Sequence, residues 1–580
     1  MKLSFRFWFS VPVWVAGLSL NVHAQDARLA PKLPAPAEAP AALPPAPAAA
    51  VAAPADQDAV LVGSLDGLVF LGDRVAVQPA GIGRPGVTCE GLLLLQQPAF
   101  QRLAAAALGR PVTLRMLNEL TRQVVLFYRE QGRPVVDVFV PEQNISSGTV
   151  QILVLEGRVG QVRAEGNAHF SSALLTGQVR LRPGEPIASE PLLADLVWLN
   201  RNPFRQVDLV FARGVQPGET DIVLRTRDRF PLRVFAGYED SGNAVTGEDR
   251  VLAGVNWGNA FGRDQQMNYQ LTASPDFSQL VAHSASYLVP LPGRHTLTIF
   301  GSYATSRPDL GTGYFKLKGS SWQTSARYGV PLASTHERFS HELSAGVDFK
   351  RSNNNLLFGG LQVFDQWTDV VQAVADYNAQ LADRWGRTTL DVQGVWSPGG
   401  LSANNHTRNF RDARAYAESD YAYARATLGR TILLPRGASW VARLTAQVAS
   451  ANLLGSEQLG LGGYENLRGY EEREANGDNA WVLTNELHLP AFSPMRLLGG
   501  GRLTDRLEVL GFVDYGEASS HRLLPGEDAH LVLASVGGGL RYNVAPYLNV
   551  RCDYGHQLLD SGVSDGRRSS RFHLGVVVAY

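Results

Sequence analysis

Cysteine is almost missing from this sequence. Among 580 residues only Cys89 and Cys552 occur, too few and too far apart for a disulfide framework or a zinc site. Lysine is nearly as scarce, standing only at positions 2, 32, 316, 318 and 350, so positive charge is almost all arginine. No lysine follows a glycine, which excludes a phosphate-binding P-loop and leaves no nucleotide site. Net charge is −1, with no basic surplus to hold nucleic acid. Beyond the first 24 residues no apolar run approaches the about 18 residues a membrane helix needs.

What is present begins with an address. Lys2 and Arg6 precede an apolar stretch from Phe7 to Leu20, and Val22-His23-Ala24 gives a small-x-small cleavage pattern. Residues 1–24 therefore read as a secretory signal peptide. Residues 25–57 form an Ala/Pro-rich linker with eight prolines, which cannot bury apolar area and is expected to be extended and semi-rigid. A secreted chain without helical spans is either soluble outside the cytoplasm or embedded as a barrel.

From 58 to 229 the pattern mixes helix and strand. Leu114, Leu117, Leu120, Val124 and Phe127 recur at helical spacing, predicting a helix over Val112 to Tyr128 that Gly132-Arg133-Pro134 stops. Strands follow at 135–140 and 149–155. After Gly157 come a strand at 159–164, helices around 171–178 and 192–201, and strands at 206–211 and 220–227. Two βααββ modules, 58–156 and 157–229, fit this span.

Past Phe230 the helical period vanishes. Met267, Tyr269, Leu271 and Ala273 alternate with Asn268, Gln270, Thr272 and Ser274; Trp440 to Val448 alternates in the same way. Period two with aromatics near strand ends is what a transmembrane barrel requires, with apolar side chains to lipid and polar ones to the lumen. About sixteen such segments fit 230–580, an even number as bacterial barrels require. A large soluble β-protein would share the period, but the signal peptide and the aromatic-ended strand Phe572 to Tyr580 weigh against it. Between two of these segments lies a long Gly-rich, acidic loop, 451–480. It carries Leu467-Arg468-Gly469-Tyr470, which an exposed loop has no need of and a loop tucked into the lumen could use.

Two patterns imitate enzyme motifs. Gly81-Ile82-Gly83-Arg84-Pro85-Gly86 has dinucleotide-binding letters, but no helix start follows and Pro85 interrupts the turn. His336-Glu337 with His341 has one residue too many for a zinc-protease helix and reads as a solvated strand turn. Nothing in the sequence reads as catalytic; no cofactor and no metal are expected.

Two segment sets carry a family resemblance. The first is Tyr128-Arg129-Glu130-Gln131-Gly132-Arg133 with Val140-Pro141-Glu142-Gln143-Asn144-Ile145 and Leu155-Glu156-Gly157. The second is Leu199-Asn200-Arg201-Asn202-Pro203 with Pro217-Gly218-Glu219-Thr220-Asp221. With Asn259-Ala260-Phe261-Gly262-Arg263-Asp264 at the barrel entry, the chain resembles the two-partner-secretion transporters, the TpsB family. The resemblance implies a mainly β fold, with two small periplasmic α/β POTRA domains followed by a sixteen-stranded antiparallel transmembrane β-barrel in the bacterial outer membrane. It implies the export of one large, unfolded partner protein of the hemolysin, adhesin or toxin class, with outer-membrane lipid as the other partner. It also implies a lock between the arginine of the inward-folded loop and an aspartate on the wall. By position these are Arg468, with Gly469 and Tyr470 beside it, and Asp514 in Phe512-Val513-Asp514-Tyr515-Gly516. The POTRA signature residues Pro141, Gln143, Asn200, Arg201, Asn202 and Pro203 read as structural or partner-binding. Strand 206–211 with helix 192–199 is the expected capture edge.

One departure concerns the start of the mature chain. Many family members open with an amphipathic helix that plugs the pore, whereas residues 25–57 here are proline-broken. The alternative function is an outer-membrane assembly factor built from the same parts. Such insertases usually carry three or more POTRA modules, and the span 58–229 holds two. A diffusion porin has none.

Overall fold

The computed structural model describes residues 30–34 and 57–580, apart from 217, 245, 309–314, 335–337, 359–360, 365, 498, 500–503 and 563–568. The signal peptide, most of the linker, and His336 and Glu337 of the imitation zinc motif therefore lie outside the described residues. The chain divides into two compact units. One is Ala35–Phe230; the other is Pro231–Tyr580, to which residues 30–34 also belong.

The first unit holds two small sheets with helices. A two-stranded ribbon pairs β1 (Val60–Val62) with β4 (Val112–Thr113). The first sheet has the order β3 (Gly86–Glu90), β2 (Gly67–Leu71), β6 (Thr149–Glu156), β5 (Val136–Phe139). Helices α1 (Pro98–Ala105) and α2 (Leu114–Glu130) cover it. Phe100 meets Phe70 edge-on at 5.1 Å and Phe127 at 5.2 Å, and Leu117, Leu120 and Val124 complete the apolar face that the helical spacing creates. The helix starts two residues later than the periodicity predicts. Val112 and Thr113 are drawn into the ribbon, and the Thr113 hydroxyl caps the helix by accepting from the Met116 N–H at 3.1 Å. The first module is also larger than βααββ, since β2 and β3 both precede its helices.

The second sheet has the order β7 (Arg158–Glu165), β9 (Glu219–Asp228), β8 (Arg205–Arg213), with α3 (Ser172–Thr176) and α4 (Ser189–Leu199) beside it. Helix α4 begins before Leu192 and stops at Leu199, not Arg201, because Asn200 leaves helical geometry as its C-cap. The Asp228 carboxylate gathers the backbone N–H groups of Ala168, His169 and Phe170 at 2.8–3.1 Å, which fixes the loop before α3.

The second unit is a closed antiparallel barrel. Its sixteen full strands begin with β10 (Leu232–Glu239), β11 (Arg250–Ala260), β12 (Gln265–Ala273), β13 (Leu280–Pro290), β14 (Thr296–Ser306), β15 (Phe315–Pro331) and β16 (Phe339–Phe358). After the four-residue hairpin arm β17 (Leu361–Phe364) come β18 (Trp367–Asp383), β19 (Gly386–Pro398), β20 (Asp420–Leu433) and β21 (Ser439–Ala449). An inner ribbon of β22 (Leu459–Leu461) with β23 (Ala475–Gly477) interrupts the order. Strands β24 (Asn479–His488), β25 (Asp505–Ser519), β26 (His530–Val544), β27 (Leu548–Gln557) and β28 (Ser570–Ala579) complete the wall. Pairing of Phe235–Glu239 with Ala579–Gly575 closes it.

Burial in this barrel is inverted. Val347, Val448, Trp396 and Tyr554 face outward and are more than half exposed, while Gln270, Gln372, Asp514 and Asp553 are buried inside. A soluble sandwich would reverse that assignment; a wall standing in lipid requires it. No helix among the described residues is long and apolar enough to cross a membrane.

Candidate functional site: the strap inside the barrel

The loop between β21 and β24 turns inward and lies against β24–β28 as a strap. Leu461, Leu467 and Tyr470 are fully buried and pack with Ala480, Val482, Ala518 and Leu533. The wall makes room with glycine. A Cβ on Gly516 would lie 2.9 Å from the Leu467 side chain, and one on Gly575 would collide with the Tyr464 hydroxyl. Gly469 itself turns through φ +99°, a conformation that disfavours any side chain.

Arg468 and Asp514 meet in the lumen. The arginine is 2 % exposed and the aspartate 0 %. Arg468 Nε and Nη2 donate to the two carboxylate oxygens, each at 2.8 Å, and the Arg468 backbone N–H adds a bond at 3.3 Å. This fork-to-fork geometry is the strongest arrangement the pair can adopt. Three further groups, not assigned a role by the sequence reading, complete the surroundings. Glu486 bonds Nη1, Asp553 stands 3.9 Å from it, and the Phe512 ring lies beneath the guanidinium at 3.6 Å. Arg541 and Arg551 each bond Asp553, so the extra carboxylate does not stand alone.

A signal for Asp553 was available in the sequence. Asp514-Tyr515-Gly516 recurs as Asp553-Tyr554-Gly555. On both strands the aspartate points in, the tyrosine faces outward, and the glycine leaves space for the strap.

Tyr470 and Gly469 bind the wall directly. The Tyr470 hydroxyl lies 2.8 Å from the Ala534 carbonyl and 2.6 Å from that of Leu559, and accepts the Ala534 N–H at 3.1 Å. Gln557 donates to the Gly469 carbonyl at 2.7 Å. At the mouth, Arg414, just after the loop helix α5 (Thr407–Ala413), pairs with buried Asp478 at 2.7 Å. Asp478 also receives the Leu453 N–H and the Gln458 side chain, so both legs of the strap are held where they leave the wall.

Residues 30–34, within the stretch read as an extended, semi-rigid linker, bind the barrel interior through Lys32. Lys32 Nζ pairs with Glu239 at 2.9 Å, its N–H donates to Gln270 at 2.9 Å, and its carbonyl accepts from Arg233 at 3.3 Å. Sequence reading missed this because a single lysine among prolines carries no periodic signal.

The six signature residues lie in the first unit and are engaged within it. Asn200 donates to the Leu196 and Val207 carbonyls and accepts the Val207 N–H at 2.8 Å, tying α4 to β8. Asn202 accepts the Phe204 N–H, the Pro203 carbonyl accepts from Arg229, and Arg201 lies over Trp198. Gln143 bonds both the N–H and C=O of Gln151 and the Pro141 carbonyl.

On the remaining wall a polar cavity opens, lined by Thr296, Thr298, Asn378, Gln393 and Thr427. Comparison with known proteins agrees with this architecture. The family model "Haemolysin secretion/activation protein ShlB/FhaC/HecB" matches residues 218–542, and "POTRA domain, ShlB-type" matches 85–157. The heme/hemopexin transporter protein HuxB of Haemophilus influenzae (strain 86-028NP) is 22% identical over 75% of this chain and 76% of its own. The outer membrane transporter CdiB of Dickeya dadantii (strain 3937) is 24% identical over 78% of each. In fold, CdiB from Escherichia coli superposes with a TM-score of 0.70 at 18% identity, over 93% of this chain and 94% of that one. BamA from Haemophilus ducreyi lacking POTRA domains 1-3 reaches 0.51 at 14% identity, over 85% and 98%. The insertase likeness is thus one of fold, whereas the sequence matches are to transporters. With more than half of its residues matched, the chain belongs to the haemolysin secretion/activation family: outer-membrane β-barrels with periplasmic POTRA domains that secrete a partner protein.

Proposed function

We propose that the strap is the gate of this secretion pore and that Arg468 and Asp514 hold it shut between export events. A sixteen-stranded barrel encloses an aqueous lumen that would leak if nothing filled it. Removing one partner of a buried ion pair leaves an uncompensated charge and costs about 3–5 kcal/mol. The bidentate contact at 2.8 Å is the single observation that carries this reading.

On the same reading, residues 1–24 are the signal peptide and 25–57 the linker. Residues 58–156 and 157–229 are the two POTRA domains, and 230–580 the barrel with its inward loop. The partner is a large exported protein of the hemolysin, adhesin or toxin class, kept unfolded in the periplasm. Strand β8 is an edge of its sheet, with Val207, Leu209 and Phe211 buried and the alternate residues Gln206, Asp208 and Val210 partly exposed. An extended segment of the partner adds to that edge through main-chain bonds. It then follows the polar wall that the strap leaves free. Folding of the partner outside makes return unfavourable, which supplies direction without a nucleotide.

Replacing Asp514 by Arg tests the gate. Secreted partner in the medium falls while the barrel stays in the outer membrane and keeps its heat-modifiable mobility. Undiminished export by that variant would reject the lock.

A further inference from the structure

The strap has a second buried ion pair at its root. Glu457 stands two residues before β22, and Lys350 projects inward from β16; their side chains are 1% and 4% exposed. Lys350 Nζ lies 2.8 and 2.9 Å from the two carboxylate oxygens. Tyr423 donates to the same carboxylate at 3.1 Å, Gln372 at 3.3 Å and Ser456 at 2.9 Å. The Glu457 carbonyl accepts from Arg425 and Gln447, both at 3.2 Å. Tyr421 in turn orients Gln372 through a 2.8 Å bond to its amide oxygen. The wall residues of this cluster come from β16, β18, β20 and β21.

Stability alone does not account for such a pair. Burying two charges costs desolvation, and well-packed apolar residues of the same volume are often as good or better. Lysine is also rare in this chain, which otherwise uses arginine for positive charge. A point charge on a flexible stem fits a contact that has to be made and broken. Position matters as much as chemistry. Lys350 lies on the seventh of the sixteen strands and Asp514 on the thirteenth, so the two pairs hold the strap to separate parts of the wall.

We propose that Lys350 is a positioning residue for export: by clamping Glu457 it fixes the root of the strap, while Arg468 fixes the tip. Release of the tip alone then swings the ribbon about a root that remains in place. The cavity lined from β14, β15, β16, β18, β19 and β20 includes Glu342 and Ser344 of the strand that carries Lys350, so loss of the root clamp is expected to widen the pore there. This inference rests on the strap being the gate.

The test is a charge-exchange series in the full-length transporter, read by single-channel recording in planar bilayers and by export of the partner. Lys350→Glu and Glu457→Lys are each expected to raise open probability about tenfold and to lower export. The double exchange returns both readouts toward the parent, which a purely structural role would not produce. Should the reversals disturb insertion, Glu457→Gln keeps the shape and loses only the charge, and it is expected to shift open probability in the same direction. Parent-like recordings and export from Glu457→Gln, or a heat-modifiable double exchange no better than its singles, overturn the root clamp. Asp514→Arg is run alongside. If it too behaves like the parent, the gate reading falls; if it alone alters conductance and export, only the root clamp falls.

Discussion

Gly555 on β27 and Gly469 at the tip of the strap touch backbone to backbone. A Cβ placed on Gly555 would lie 2.6 Å from the Arg468 carbonyl carbon and equally close to the Gly469 nitrogen. No rotamer change relieves that collision, since both sides are main chain. Gly555→Val is therefore expected to push the strap off the wall. Partner secretion falls and the strap becomes cleavable by added protease, while the purified barrel remains heat-modifiable.

Phe512 supports Arg468 from below, its ring 3.6 Å from the guanidinium carbon. A desolvated contact of this kind contributes about 2 kcal/mol. Phe512→Leu keeps an apolar side chain and removes the ring, so channel openings become more frequent with the barrel intact. Recordings in planar bilayers check this.

Lys32 is the charged anchor of the N-terminal stretch. Lys32→Glu sets two carboxylates against each other at Glu239 and should free residues 30–34 from the interior. Faster proteolysis of the segment ahead of the first POTRA domain, with unchanged mobility of the barrel, is the expected result.

Asn200 joins α4 to β8 through three hydrogen bonds in a site 2 % exposed. Asn200→Ala leaves the Val207 N–H and two carbonyls without their side-chain partner, a loss of about 1–3 kcal/mol. Limited proteolysis of the full-length protein should find the 157–229 region cut sooner. Arg201→Ala, which removes the contact with the Trp198 ring, should be cut less readily than Asn200→Ala.

Cys89 has its thiol pushed up by burial, an effect the bond from Gln101 partly offsets. Because the thiolate is the nucleophile, alkylation at pH 8 should be slower than for a free cysteine and should accelerate as pH rises. Gln101→Leu removes the offsetting bond and slows the reaction further. Peptide mass spectrometry distinguishes Cys89 from Cys552.

The barrel was legible because period two needs only neighbours in sequence, as Met267 to Ala273 illustrates. The first module was legible in its helix α2 and hidden in β2 and β3. Gly67–Leu71 is buried at every position and so shows no alternation, and Gly86–Glu90 begins inside the glycine run that imitates a nucleotide fingerprint. The aspartate facing Arg468 came by family resemblance. Glu486, Asp553 and the Lys350–Glu457 pair did not emerge, since charged partners brought together by barrel closure are far apart along the chain. Only the repeated Asp-Tyr-Gly of β25 and β27 betrayed that two strands share one task.

The two ends of the strap leave the wall from β21 and β24, which pair directly with each other. The cork is thus tethered at both ends to adjacent staves and cannot diffuse away when displaced. Its effective concentration at the wall stays high, so recapture is a unimolecular event that needs no second protein. If the strap is the proposed gate, such a pore is expected to reseal as soon as its passenger's last segment clears.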